Sequence, residues 1–167
     1  NPKNFVMPLL MDRRDAWCLT VAGREKVQTE RGDGYMWDGG NVAYIVAFTK
    51  YLIATYPIAK ERVIVWGHSA GGTMTLATLR KAPTLFAGGL TTAAPATPDS
   101  GHKDLRTWVF LGKEDPNWVG ASSVRTFVEG LLKKGKGACA FFAVDGLEHA
   151  IPYDDYLGLG FDWILCR

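Results

Sequence analysis

The sequence predicts an α/β protein built as a three-layer sandwich, a mostly parallel sheet with helices on both faces. Short apolar stretches rich in β-branched and aromatic residues alternate, along the 167 residues, with longer stretches whose apolar residues recur at helical spacing. Such alternation is typical of parallel strands that are connected by helices. No internal repeat, low-complexity tract or clear linker interrupts it, so residues 1–167 are assigned to a single domain.

The individual elements follow from the same stretches. Asp38 is predicted to cap the first helix, because its carboxylate accepts hydrogen bonds from free amides, and Pro57 ends that helix. Residues 11–40 are polar and contain glycines, which predicts a long loop that holds Trp17 and Trp37. The predicted strands are NFVMPLL (4–10), RVIVW (62–66), LFAGGLTTAA (85–94), TWVFLG (107–112) and ACAFFAV (138–144). The predicted helices span about 41–56, 70–82, about 118–134 and about 153–165.

Composition argues against several classes of protein. A formal net charge of +2 is too small to predict nucleic-acid binding, and the basic residues are scattered. No apolar run approaches the roughly 20 residues that cross a bilayer, and no signal peptide is visible. Because the sequence begins with Asn1 and not with Met, its start does not indicate the compartment. Cys18, Cys139 and Cys166 lack metal-binding spacing; they allow one disulfide, but we interpret them as three ordinary thiols.

A G-x-S-x-G pattern, GHSAG at residues 67–71, lies between a predicted strand and a predicted helix. A nucleophile elbow has this form. Its serine takes a strained backbone conformation, so small residues are expected at both glycine positions, where larger side chains would clash. The N–H of Ala70 then points at a developing oxyanion, and Gly72 lets the helix pack close to a strand. By itself, however, the pattern also fits a Gly-rich turn without chemistry.

Partners for Ser69 follow in the order that this type of elbow requires. Asp115 comes just after TWVFLG, and His149 comes just after ACAFFAV. Both therefore lie beyond the carboxyl ends of predicted parallel strands, on the same sheet edge as the serine. A carboxylate there orients an imidazole and stabilises its charged form, which predicts a Ser-His-Asp triad.

The other candidates for these roles fit less well. His68 adjoins the serine and does not easily fold back to its hydroxyl, and His102 precedes the acid-bearing strand, which breaks the order. Glu114 is the reserve acid if the loop turns differently. Asp145 is expected to cap a turn, and Glu148 to be solvated.

These residues resemble the α/β-hydrolase superfamily. Within it, the run from Trp37 to Gly72, WDGGNVAYIVAFTKYLIATYPIAKERVIVWGHSAGG, resembles extracellular esterases related to polyhydroxybutyrate depolymerases and feruloyl esterases. The family acid matches Asp115 in GKEDP, and its histidine matches His149 in GLEHAIP. The resemblance covers about residues 38 to 165 and implies a small or N-terminally truncated α/β-hydrolase fold, with secretion favoured by the resemblance alone.

One departure from the superfamily concerns the second oxyanion amide, which normally follows an earlier strand. A single helix separates NFVMPLL from the elbow strand, so the strand that carries that amide has no counterpart here. The chain is then a fragment, or a partner chain supplies the missing strands, or the hole is built differently. In the last case Leu9 to Met11 or the 11–40 loop has to provide the donor.

The sequence thus predicts a serine hydrolase that cleaves small-molecule or polymeric esters without a metal or cofactor. His68 and Trp118 are placed as substrate-binding residues, with Trp17 and Trp37 as further walls of the site. Packing in the core or on the surface explains each of the three tryptophans equally well. A peptidase or acyl-peptide hydrolase of the same superfamily is the alternative enzyme. An inactive, truncated hydrolase that acts as a binding protein is the non-enzyme alternative.

Overall fold

A computed structural model of the chain describes residues 16–21, 23, 25–29, 32–94, 106–116, 129, 138–152 and 154–166. Its strands in these ranges are β1 (Glu25–Thr29), β2 (Gly32–Met36), β3 (Ile64–His68), β4 (Gly88–Thr92), β5 (Arg106–Gly112) and β6 (Ala138–Val144). Its helices are α1 (Gly39–Thr55), α2 (Ala70–Lys81) and α3 (Asp154–Leu165), and a 3₁₀ turn (Lys60–Arg62) precedes β3.

Strands β3 to β6 form one parallel sheet in the order β3-β4-β5-β6. The register places Trp66 level with Leu90, and Leu90 level with Trp108. Because the strands are parallel, all four carboxyl ends lie at the same edge of the sheet. The loops that follow β3, β5 and β6 therefore start side by side.

Helices cover the two faces of this sheet, so the three-layer prediction is confirmed. On one face Leu76 and Leu79 of α2 are buried against Phe86 and partly buried residues at β3. On the other face α3 packs against the central strands, and each fully buried apolar side chain there contributes about 1.5–3 kcal/mol. The buried residues of that layer are Ala87, Leu90, Trp108, Phe110, Leu157, Phe161 and Ile164.

Helix α1 begins at the predicted cap. The Asp38 carboxylate accepts a hydrogen bond from the Asn41 backbone N–H at 3.0 Å, and the Asn41 side-chain amide donates to the same oxygen at 2.8 Å. The helix ends at Thr55, just before Pro57. Its bounds differ from the prediction only by one or two residues at each end.

Three predictions need correction. The long loop over 11–40 is wrong for part of its length, because β1 and β2 pair there as an antiparallel hairpin. Strand β3 begins and ends two residues later than predicted, since Lys60–Arg62 forms the 3₁₀ turn. Strand β4 covers only Gly88–Thr92 of the predicted 85–94.

Some predictions concern residues outside the described ranges. The strand at 4–10 lies outside them, and of the helix at 118–134 only Glu129, which is helical, is described. Cys18, Cys139 and Cys166 are free thiols in this structure. Within the described ranges, no helix combines the length and apolar character that a membrane span requires. The assignment to a single domain stays a prediction.

Candidate active site

Ser69 occupies the turn between β3 and α2. Its backbone has φ 53° and ψ −120°, a conformation that L-residues rarely adopt and that the surrounding structure has to enforce. The Ser69 N–H donates to the Thr92 carbonyl at 2.8 Å, which ties the turn to the end of β4. The Ser69 carbonyl accepts from the N–H groups of Gly72 and Thr73 at 2.9 and 3.2 Å, so α2 starts directly from the serine.

Close packing leaves no room for a side chain at two of the three glycines around this turn. A Cβ on Gly67 would collide with the backbone of Gly71, and a Cβ on Gly72 would lie 2.6 Å from the Ala94 Cβ. A Cβ on Gly71, in contrast, would meet nothing within 4 Å. The expectation that both motif glycines must be small is therefore wrong at Gly71. The reason is that the Gly71 carbonyl lies against the Cα of Gly67, whereas a Cβ on Gly71 itself would point into open space.

Three side chains from three loops meet above this turn. His149 Nε2 lies 2.9 Å from Ser69 Oγ, and His149 Nδ1 lies 2.9 Å from Asp115 Oδ2. Asp115 is fully buried, whereas the His149 side chain is 41% exposed. Glu114, the reserve acid, is exposed, and the carboxylate that contacts the imidazole belongs to Asp115. The structure thus brings together the three residues that the sequence singles out.

Backbone contacts hold the acid loop against the histidine loop. The Lys113 N–H donates to the Val144 carbonyl at 2.8 Å, and the Glu114 N–H donates to the Leu147 carbonyl at 3.2 Å. A Cβ on Gly112 would collide with the Leu147 carbonyl and would lie 2.7 Å from the Glu148 oxygen. Gly112 is thus a positioning residue that the sequence reasoning missed. Its one sequence signal is a glycine between a buried strand and the acid loop.

His68 lies beside this arrangement. Its Nδ1 is 3.1 Å from Thr92 Oγ1, and its ring centroid is 5.3 Å from that of His149, with 48° between the ring planes. Burial lowers the pKa of His68, and the neighbouring His149 lowers it further, while Asp115 and Thr92 oppose the shift. The net effect is a lowered pKa, which favours the neutral form of His68.

The remaining sequence candidates fall into three groups. Ala70 opens α2, where backbone N–H groups lack partners within the helix. Trp118 lies outside the described residues, as do Leu9 to Met11. Trp17 is 77% exposed and packs edge-on against Tyr56, with 5.8 Å between ring centroids, at the end of α1.

The charged residues around the histidine loop are exposed. Asp145 pairs with Lys113, with 2.7 Å between Oδ1 and Nζ, and Gly146 makes the turn that follows with φ 70°. Glu148 is exposed, as predicted. Among the described residues, no three His, Cys, Asp or Glu side chains are grouped closely enough to hold a metal ion.

Residues 34–120 match the sequence model of the prolyl oligopeptidase family, which is more than half of the chain. The chain belongs to this family. The matched range includes Ser69 and Asp115 and ends before His149. No curated protein sequence matches the chain.

Solved structures resemble the chain at low sequence identity. Arabidopsis thaliana SOBER1 is 19% identical with a TM-score of 0.73, over 98% of this chain and 92% of that one. An uncharacterized Bacillus cereus protein is 20% identical with a TM-score of 0.75, over 95% of this chain and 55% of that one. Staphylococcus aureus S-formylglutathione hydrolase is 16% identical with a TM-score of 0.57, over 74% and 63%. Family and fold together place the chain among the serine hydrolases of the α/β-hydrolase superfamily.

Proposed function

We propose that the chain is a serine hydrolase that cleaves carboxylic esters through an acyl-enzyme. The observation that carries this proposal is the continuous hydrogen-bonded arrangement Asp115–His149–Ser69, with both contacts at 2.9 Å. A buried carboxylate, an imidazole and a strained serine at one sheet edge form the arrangement that nucleophilic acyl transfer needs.

Each residue then has a chemical role. Ser69 Oγ attacks the ester carbonyl while His149 Nε2 takes its proton, and the same nitrogen later delivers that proton to the leaving alcohol. Asp115 accepts from Nδ1–H, which fixes the tautomer of His149 and stabilises the imidazolium. Water activated by His149 then hydrolyses the acyl-enzyme. No step of this cycle calls for a metal or a cofactor.

The Ala70 N–H is the first oxyanion donor in this proposal, because it follows the serine at the amino end of α2. A second donor is proposed to come from the segment before α1, from residues of a longer chain that precede this sequence, or from a partner chain. The source matters, since loss of one donor costs roughly a hundred- to a thousandfold in kcat.

Esters are proposed because the residue patterns around Asp38, Ser69, Asp115 and His149 resemble esterases. One of the similar solved structures is a thermostable esterase, at 20% identity and a TM-score of 0.56. The finer part of the proposal, a feruloyl- or polyester-type substrate, rests on that resemblance alone. Methyl ferulate and polyhydroxybutyrate are the substrates that test it.

Peptide hydrolysis is the second candidate, and the family match favours it. The same triad cleaves amides when the site binds a peptide and protonates the leaving amine. A p-nitroanilide peptide compared with a short-chain p-nitrophenyl ester separates the two candidates. Turnover of the anilide without turnover of the ester would replace the first candidate by the second.

The first experiment is a time course with a p-nitrophenyl ester, combined with intact mass after a fluorophosphonate probe. Ser69→Ala is expected to lower kcat by about 10⁴- to 10⁶-fold and to abolish labelling. Thr84→Ala, which removes an exposed hydroxyl after α2, is the matched control and should behave like wild type. A folded wild-type chain with neither turnover nor adduct would contradict the enzyme proposal and favour a binding protein that carries a triad.

A further inference from the structure

Thr92 holds two parts of the site at once. It ends β4, is fully buried and is the register partner of His68 across the parallel pair. Its carbonyl accepts the Ser69 N–H at 2.8 Å, and its hydroxyl lies 3.1 Å from His68 Nδ1. Ala93, which follows, has φ 51°, so the chain turns sharply here as it does at Ser69. The turn that carries Ser69 and the ring of His68 therefore share one rigid anchor.

Two hydrogen bonds and one neighbouring ring surround the imidazole of His149. The contacts at Nδ1 and Nε2 hold the two nitrogens, whereas tilting about the line that joins them is resisted by the Cβ–Cγ bond to the loop and by neighbouring side chains. The side chain is 41% exposed and belongs to a loop, so solvent on that side supplies no restraint. The His68 ring, 5.3 Å away between centroids and tilted by 48°, lies where it limits this motion.

We propose that His68 is a positioning residue for His149: anchored on Thr92 Oγ1, its ring keeps the imidazole aligned between Asp115 and Ser69. This role rests on the hydrolase function proposed above. It differs from the substrate contact that the sequence suggests for His68, because it acts through His149 and not through the bound substrate.

The charges near His68 are compatible with this role. The titratable groups that face it are His149 and Asp115, and burial is the largest cause of its lowered pKa. The lowered pKa favours the neutral form of His68, which places no second positive charge beside His149 when the latter becomes an imidazolium during acyl transfer. An Arg or Lys at this position would oppose that charge.

The test compares four variants in kcat and KM for a p-nitrophenyl ester. His68→Ala is expected to lower kcat about tenfold or more with KM within about twofold, since misplacement by ~1 Å costs up to about 10²-fold. His68→Phe keeps the ring but loses the contact between Nδ1 and Thr92 Oγ1, so it should recover only part of that loss. Thr92→Val removes only the anchoring hydroxyl and should lower kcat, and Thr92→Ser should restore it.

A second readout is the low-field proton resonance of His149 Nδ1–H, which reports the hydrogen bond to Asp115. This resonance should broaden or shift in His68→Ala and Thr92→Val, and it can be measured whether or not the wild type turns over the ester. A wild type without turnover would count against the proposed function but not against the positioning role. A raised KM with unchanged kcat in His68→Ala would overturn the positioning role in favour of substrate contact. Unchanged kcat, KM and resonance in His68→Ala and Thr92→Val would overturn it too. If His68→Ala does not fold, the Thr92 pair carries the test.

Discussion

The turn that carries Ser69 and the two loops that carry Asp115 and His149 are held in place by different forces. At Ser69 close packing leaves no room for an added atom: a Cβ on Gly67 would collide with the Gly71 backbone, a Cβ on Gly72 would collide with the Ala94 Cβ, and φ of Ser69 is 53°. At the two loops, backbone N–H groups donate across the gap between the loops, and the His149 side chain remains 41% exposed. The serine is thus fixed by steric constraint, and the histidine by directional contacts.

This difference explains which part of the site can be predicted from a sequence. Steric constraint restricts the residue types that fit, so the turn is recognisable in the sequence as the motif GHSAGG. Backbone hydrogen bonds such as Glu114 N–H to the Leu147 carbonyl restrict no side chain, so the loops leave almost no pattern. It also predicts different responses to an added atom, which should unfold the tightly packed turn but only displace the more exposed loops.

The largest effect is expected at Gly67. Gly67→Ala places a Cβ into the backbone of Gly71, and we expect it to destabilise the fold by at least about 3 kcal/mol or to prevent folding. Gly71→Ala is the matched control: its Cβ meets open space, and alanine in a helix is about 1 kcal/mol better than glycine. Urea unfolding followed by circular dichroism measures both. Equal stabilities would show that the turn relaxes and is not sterically fixed.

The next effect is expected at the acid. Asp115→Asn leaves the size of the buried side chain unchanged but removes the charge that orients His149, and kcat should fall by about 10⁴-fold. Glu114→Gln changes an exposed neighbour and should keep kcat within about twofold. Steady-state kinetics on one ester decides between the two carboxylates. A large loss in Glu114→Gln with little in Asp115→Asn would reverse the assignment of the acid.

A smaller effect is expected where the loops meet. Gly112→Ala pushes against the Leu147 carbonyl, which displaces the histidine loop and should lower kcat by about 10- to 100-fold. Gly146→Ala is the control, because its φ of 70° strains an alanine by about 1–2 kcal/mol without a collision. It should therefore lower stability and leave kcat nearly unchanged. If both variants lost the same activity, loop strain and not loop contact would control the position of His149.

The same physical distinction separates the predicted elements from the missed ones. ACAFFAV predicts β6 with its observed bounds, because a short uninterrupted apolar run is typical of a strand in a parallel sheet, although this strand is only partly buried and Phe142 is 37% exposed. EKVQT and GDGYM show no such run, so the hairpin β1–β2 rests on backbone pairing that composition does not reveal. The open space at Gly71 and the crowding at Gly112 likewise depend on how two backbones cross, which one sequence does not show.

The smallest effect is expected at the ion pair that joins the two loops, Lys113 to Asp145. The Lys113 and Asp145 side chains are 41% and 84% exposed, so solvent screens the pair, and Lys113→Ala should lower stability by at most about 0.5 kcal/mol and leave kcat within about twofold. That small loss should shrink further at high salt, which screens exposed charges. Thermal unfolding and kinetics at low and high salt measure it. The contrary result would be a tenfold loss of kcat in Lys113→Ala that high salt also causes in the wild type. It would mean that the ion pair, and not the backbone contacts of Gly112 and Glu114, aligns the histidine loop.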